Sequence, residues 1–339
     1  MTIKDIAAQT GYSVGTISRV LNNQPNVSEK ARKAIMDAAE ASGFQLNANA
    51  KQLKQAHSNT ILMVVKGTSN ELFSSLVEAL QARINETNHP LVVDYLDENS
   101  NEVLRAQQLC REKKPLGILF LGGNRENFLH NFDRIGVPCV LITGNGSDLP
   151  FPNLSSISTD DTWAAAQAID HLISQGHRKI AVIGGDRAVS DTSLLRFQGC
   201  MEAFSRNGIA FDEEQDYESV RFSFADGYRA ARNLLERGRE FTAIFAMSDV
   251  MAIGAIRALR EAGRNVPEDV SVIGFDGLAM GEYTVPTLTT IRQSVRELAD
   301  RSIEMLLENI RSSQPPRHEM IEATLEKRES TKKIQVLCQ

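Results

Sequence analysis

Seven short apolar runs rich in β-branched residues punctuate the chain after residue 58: TILMVVK, PLVVDYL, LGILFLG, PCVLIT, RKIAVIGG, FTAIFAM and DVSVIGFD. Between them lie stretches that read mostly as amphipathic helices, among them 101–114, 160–176, 226–238 and 249–263. Strands alternating with helices imply parallel sheets covered on both faces, an α/β fold. The roughly 280 residues of this part exceed one comfortable hydrophobic core, so two lobes are expected. Ligands of open α/β sheets bind outside the strand C-termini, which places a small molecule in a cleft between the lobes.

The first 54 residues have another character. Thr2 can cap a helix with Asp5 in its first turn and Ile3, Ile6 and Ala7 on its apolar side, and Gly11 ends it. Ser13 caps a second helix carrying Val14, Ile17, Val20 and Leu21, closed by Asn22, Asn23 and Pro25. Ser28 caps a third, with Ala31, Ala34, Ile35, Ala38 and Ala39 on one face and Gly43 at its end. Two short helices joined by two or three residues cross steeply and expose the second, as in a helix-turn-helix.

Charge divides the chain at the same place. Residues 1–54 hold seven basic side chains (Lys4, Arg19, Lys30, Arg32, Lys33, Lys51, Lys54) against four acidic ones, a net +3. The whole chain carries -6, which leaves -9 on the remainder. A basic head on an acidic body provides an electrostatic footprint for phosphate and keeps the body off the duplex.

TIKDIAAQTGYSVGTISRVLNN, followed by NVSEKARKAIMDAAEASGF, resembles the headpiece of the lactose/galactose repressor family (LacI/GalR) of bacterial transcriptional regulators, and the likeness continues along nearly the whole chain. It implies an all-α helix-turn-helix headpiece at 1–46, a hinge helix and linker at 47–58, and a two-lobed core like a periplasmic binding protein. The lobes would be 59–158 with 289–320 and 159–288 with 321–339, the chain crossing between them near 158, 288 and 320. The resemblance also implies that Val14 and Gly15 open a recognition helix and, with Arg19 a turn later, face base edges in the major groove. Arg19 suits a bidentate contact to guanine and Val14 a thymine methyl, while Ser13, Thr16, Ser18 and Asn22 suit phosphate. The Val-Gly pair is closer to galactose-type than to lactose-type regulators. In QLNANAKQLK, Asn47, Ala50 and Leu53 match the family's hinge, with Leu53 at the residue that wedges into the minor groove; Leu46 and Lys51 stand where the family usually has proline and arginine.

The resemblance places Arg196 (SLLRFQG) and Asp276 (VIGFDG) at effector-contacting positions. An arginine fork and a carboxylate facing one ligand suit adjacent hydroxyls, which both donate and accept. Phe222 would stack on the ligand's apolar face, Thr192 lies one helical turn before Arg196, and Phe73, Ser248 and Gln293 complete the candidate ring. Asp249, after Ser248, reads as a cap of the next helix. Where many sugar-binding members have an acidic residue at the end of the fourth strand, this chain has Thr143.

Other chemistry lacks its sequence signals. Gly144 and Gly146 in GNGSD lack the third glycine and helix of a phosphate loop. His57, His89, His130, His171, His177 and His318 show no metal spacing, and Cys110, Cys139, Cys200 and Cys338 no paired spacing. No metal, cofactor or catalytic residue is expected. No signal peptide or membrane-length apolar run is recognisable, so a cytoplasmic location is expected. Lys327, Arg328, Lys332 and Lys333 read as a solvated tail, without the leucine heptads of a tetramer-forming one.

Three function classes compete. A sugar-binding receptor accounts for the body alone, and a sugar kinase or dehydrogenase would need a nucleotide loop. A ligand-controlled repressor, dimeric on a palindromic operator and released from DNA by a small carbohydrate, accounts for both parts. A purine or sugar phosphate acting as corepressor on the same architecture is the alternative.

Overall fold

The computed structural model describes residues 3–21, 27–42, 59–67, 70–312 and 314–334. The expected contacts of Asn22, Asn47, Ala50 and Leu53, and the atypical Leu46 and Lys51, lie outside the described residues. Residues 1–58 and 59–339 form two separate compact units.

Among the described residues the head is three helices, α1 (Ile3–Thr10), α2 (Val14–Leu21) and α3 (Glu29–Ala41). Gly11 takes φ 72° and bonds Ala7 through its N–H, a conformation that any side chain would strain. Ser13 caps α2 by accepting from the Thr16 N–H at 3.1 Å, and Ser28 caps α3 by accepting from the Ala31 N–H. Ile6, Ile17, Val20, Ile35, Ala38 and Ala39 form the core, so each helix contributes an apolar face to one small cluster. Ala34 is exposed, outside that cluster.

Among the described residues twelve strands build the body: β1 (Ile61–Lys66), β2 (Leu91–Leu96), β3 (Gly117–Leu121), β4 (Cys139–Ile142), β5 (Leu154–Thr159), β6 (Ile180–Gly184), β7 (Tyr217–Ser219), β8 (Ala243–Ala246), β9 (Ser271–Asp276), β10 (Thr289–Arg292), β11 (His318–Ile321) and β12 (Thr324–Glu326). They form two six-stranded sheets, in the orders β11-β5-β4-β3-β1-β2 and β12-β10-β9-β8-β6-β7. Helices cover both faces, among them α4 (Glu71–Asn85), α5 (Glu102–Lys113) and α6 (Arg125–Asn131) in the first lobe. The second lobe adds α7 (Asp161–Ser174), α8 (Asp191–Arg206), a single turn α9 (Glu213–Asp216), α10 (Phe224–Glu236) and α11 (Asp249–Glu261), and α12 (Val295–Arg311) returns to the first.

All sheet pairs are parallel except β10 with β12. That exception follows from the crossings. β5, β10 and β11 each end where the chain leaves their lobe, so β12, which enters at that boundary from β11 after two residues, must run against β10. Because β10 belongs to the second sheet, the middle crossing falls after Arg292 rather than at the expected 288. The end of the chain departs from the expected solvated tail: Arg328 donates to the Leu288 carbonyl and pairs with Glu326, and Ser330 is fully buried, donating to the Val272 carbonyl. Among the described residues no helix is long and apolar enough to cross a membrane.

Candidate functional site

The C-terminal ends of strands from both sheets open onto one cavity of about 490 Å³. Small-molecule sites commonly span roughly 300–1,000 Å³. Lys66, Gly122 and Thr143 border it after β1, β3 and β4, and Asp186, Ser219 and Asp276 lie at the ends of β6, β7 and β9. Phe73, Thr192, Arg196, Phe222, Asp276 and Gln293, six of the seven effector positions expected from sequence, line this one cavity. Ser248 does not. Its hydroxyl caps α11 by accepting from the Met251 N–H, and it is buried behind the β8 end. The cap reading therefore belongs to Ser248 and not to Asp249, whose carboxylate turns inward.

Arg196 is placed by helix packing. Gly199, one turn later in α8, lets that helix press against α7 so closely that a Cβ there would stand 2.1 Å from the Thr162 carbonyl oxygen. This approach brings Arg196 Nε to 2.7 Å from Asp161 Oδ1 and Nη1 onto the Met247 carbonyl, with the guanidinium 3.6 Å above the Phe275 ring. Asp276 Oδ1 is 3.8 Å from Nη1. One buried guanidinium thus serves two buried carboxylates. Burial raises the pKa of Asp161 and pushes that of Asp276 up to about 7, with Arg196 opposing both shifts. Asp276 also sits at φ 116°, a backbone strain of the kind concentrated at functional sites.

Behind Asp276 lies Asp249. Its oxygens accept from the Leu278 N–H and the Thr290 hydroxyl, each at 2.6 Å. Burial, reinforced by the nearby Asp276 charge, pushes its pKa up to about 8.

In the head, Ile17 and Val20 point into the core, leaving Ser13, Val14, Gly15 and Arg19 exposed and Thr16 and Ser18 half-buried. Val14 is 42% exposed although apolar, and its only neighbours in sequence on that surface are small or polar. A helix offering a valine, a bare glycine and an arginine to solvent has the chemistry for reading base edges.

Residues 2–47 match the profile of bacterial regulatory proteins of the lacI family, and residues 169–331 match that of a periplasmic binding protein-like domain. Over 335 residues the chain is 32% identical to the HTH-type transcriptional regulator MalR of Clostridium butyricum, covering 97% of this chain and 99% of that protein. The chain belongs to the LacI family. It is also 34% identical over 310 residues to the HTH-type transcriptional regulator GalR of Escherichia coli (strain K12), covering 90% and 88% of the two chains. Among solved structures, the transcriptional regulator CelR in complex with cellobiose superposes with a TM-score of 0.73 at 29% identity, covering 97% of this chain and 99% of that one. This LacI-family chain is thus a DNA-binding transcriptional regulator, and its relatives are regulators rather than enzymes.

Several residues at this regulator's cleft escaped the sequence reading. Asp161, which orients Arg196, gave no signal beyond an acidic first turn. Lys66, Glu98, Asp186 and Arg221 line the cavity at or just after strand ends, where the rule that ligands bind outside strand C-termini would have found them. Among the described residues, polar contacts also cross the cleft away from the crossing segments, Arg221 with Asp97 among them. Arg221 Nε lies 2.5 Å from Glu98 Oε1, the Arg125 N–H donates to Asp191 Oδ2 at 2.7 Å, and Asn124 Nδ2 donates to the Val189 carbonyl at 3.0 Å.

Proposed function

We propose that this regulator is a repressor that binds a palindromic operator as a homodimer and leaves it when a small carbohydrate fills the inter-lobe cleft. The observation that carries the reading is the pairing of Arg196 and Asp276 in a cavity also lined by Phe73 and Phe222. Hydroxyls both donate and accept, which suits a fork beside a carboxylate, and the C–H face of a sugar ring packs on aromatic side chains. The cellobiose held by the related CelR supports the same ligand class.

In this reading Ser13, Thr16 and Ser18 hold phosphate while Val14, Gly15 and Arg19 face bases, with half-sites about 10 base pairs apart on the duplex. The dimer is supported by an unusual exposure of apolar side chains on the second lobe: Tyr283 is 84% and Val285 86% exposed, with Met280 nearby in the same short segment. Effector then acts through differential affinity for the two arrangements of the lobes, on DNA in the cytoplasm.

Selection of binding sites from a random DNA pool by the full chain, followed by anisotropy titration of the selected duplex with and without sugars, tests this. The expected result is a two-fold symmetric site, two chains per duplex, and weaker binding with one sugar. An asymmetric site bound by one chain would overturn the dimer, and a set of sugars that leaves DNA affinity unchanged would overturn the carbohydrate effector.

A further inference from the structure

Four cations line the cleft, and each already holds a carboxylate. Lys66 Nζ is 2.6 Å from Glu102 Oε2, and that fully buried carboxylate also accepts from the Asn124 N–H and from Asn127 Nδ2. Arg221 pairs with Glu98, Arg229 with Asp226 in its own helix, and Arg196 with Asp161. The carboxylates of the lining are less well matched. Asp276 has the Gln293 amide and only the distant side of a guanidinium committed to Asp161. Asp186, exposed in the loop after β6, accepts from the Ala188 N–H at 2.9 Å and has no ion-pair partner among the described residues. Asp249, buried behind Asp276, is kept mostly protonated at neutral pH by that burial and adds little charge.

What this cleft leaves for a ligand is therefore mainly acceptor, with its unpaired negative charge at Asp186 and, in its ionised form, at Asp276. A phosphate ester carries about -1.5 to -2 charges and, when fully ionised, only acceptors. It would meet Asp186, and Asp276 in its ionised form, as a like charge, and to gain a cation it would have to compete with one of the four existing pairs. A hydroxyl can donate to the same carboxylates without that cost. We propose that the cleft selects an uncharged polyhydroxy ligand against its phosphorylated form, with Asp186 a specificity-determining residue for that choice. The inference rests on the carbohydrate reading above and narrows it.

Calorimetric titration of the full chain with glucose, galactose and cellobiose, each beside its 6-phosphate, and with adenine and hypoxanthine, tests it. The expected result is that a parent sugar binds and its 6-phosphate binds at least tenfold more weakly. Asp186→Lys, which supplies an uncommitted cation at an exposed position, is expected to shrink that ratio at least threefold while moving the parent sugar's affinity by less. An ester that binds as tightly as its parent, or a ratio unchanged in Asp186→Lys, would overturn the inference. Binding of a purine with no sugar or ester bound would instead overturn the carbohydrate reading on which it rests.

Discussion

Gln293 ties Asp276 to Thr159: its Nε2 donates to Asp276 Oδ1 at 2.9 Å, and its Oε1 accepts from the Thr159 hydroxyl at 2.8 Å. Thr159 ends β5 in the first lobe and Asp276 ends β9 in the second, while Gln293 itself lies on the middle crossing. A residue of the candidate effector site thus lies on one of the three segments about which the lobes would turn and is hydrogen-bonded to another. All three side chains are at least 95% buried, so the network is shielded from water.

Gln293→Leu keeps the volume and removes both bonds. Leaving the Thr159 hydroxyl and the Asp276 oxygen without their partner costs about 1–3 kcal/mol. The expected outcome is a fall of several degrees in the body's melting temperature, read by calorimetry; an unchanged melting temperature would show that the two groups find other partners.

Stability depends on pH through the same region. In an unfolded chain the aspartate carboxyl has its ordinary pKa of 3.8, whereas folding raises Asp276 to about 7 and Asp249 to about 8. Between these limits the folded state binds more protons than the unfolded one, so these groups make stability fall as pH rises from about 4 to 8. Asp249→Asn keeps an oxygen for the Leu278 N–H and can donate to Thr290 once that hydroxyl turns. Melting curves from pH 5 to 8.5 are expected to show a shallower decline in this variant, and an equal slope would remove Asp249 from the account.

Asp276→Asn tests the effector site with a residue that tolerates positive φ. Replacing one carboxylate oxygen by an amide donor, with loss of the charge, is expected to weaken binding of the responsive sugar by about 1–3 kcal/mol, roughly 5- to 150-fold. Calorimetric affinity equal to that of the unaltered protein would take Asp276 out of the site.

Across the cleft, Asp191→Ala removes the acceptor of the Arg125 N–H, one of the polar links that join the lobes away from the crossing segments. The ligand-free protein is expected to open, giving a larger radius of gyration in X-ray scattering, and saturating sugar should reverse the change. Equal radii for variant and parent would leave closure to the other contacts.

Arg19→Ala is expected to cost about 1–3 kcal/mol in operator binding and to relax preference at one base pair per half-site. Binding measured across single-base operator variants checks this. A uniform loss on every sequence would reassign Arg19 to phosphate.

The legible parts of the chain were those governed by local rules. Period and β-branching announced strands such as ILMVVK and SVIGFD, and Ser13 and Ser28 cap their helices as their places before apolar stretches predict. The glycine at 11 takes the left-handed turn expected of it. At the cavity, motif positions brought Arg196, Asp276 and Phe222 onto one lining, since a strand end and the start of the helix after it have fixed places in such a fold. Ser248 was misassigned because a serine before a helix satisfies both a cap and a ligand contact, and only the direction of its hydroxyl separates them.

By itself, then, the sequence determined the division into a basic three-helix head and an α/β body, because amphipathic period, capping and charge are properties of neighbouring residues. Only the tertiary structure decided that Arg196 is shared between Asp161 and Asp276, that Gln293 joins both lobes, and that every cation lining the cleft is already paired. Apart from the Arg229–Asp226 pair within one helix, those facts depend on side chains from 17 to 134 positions apart meeting in space, where distance and burial rather than residue type set the energy.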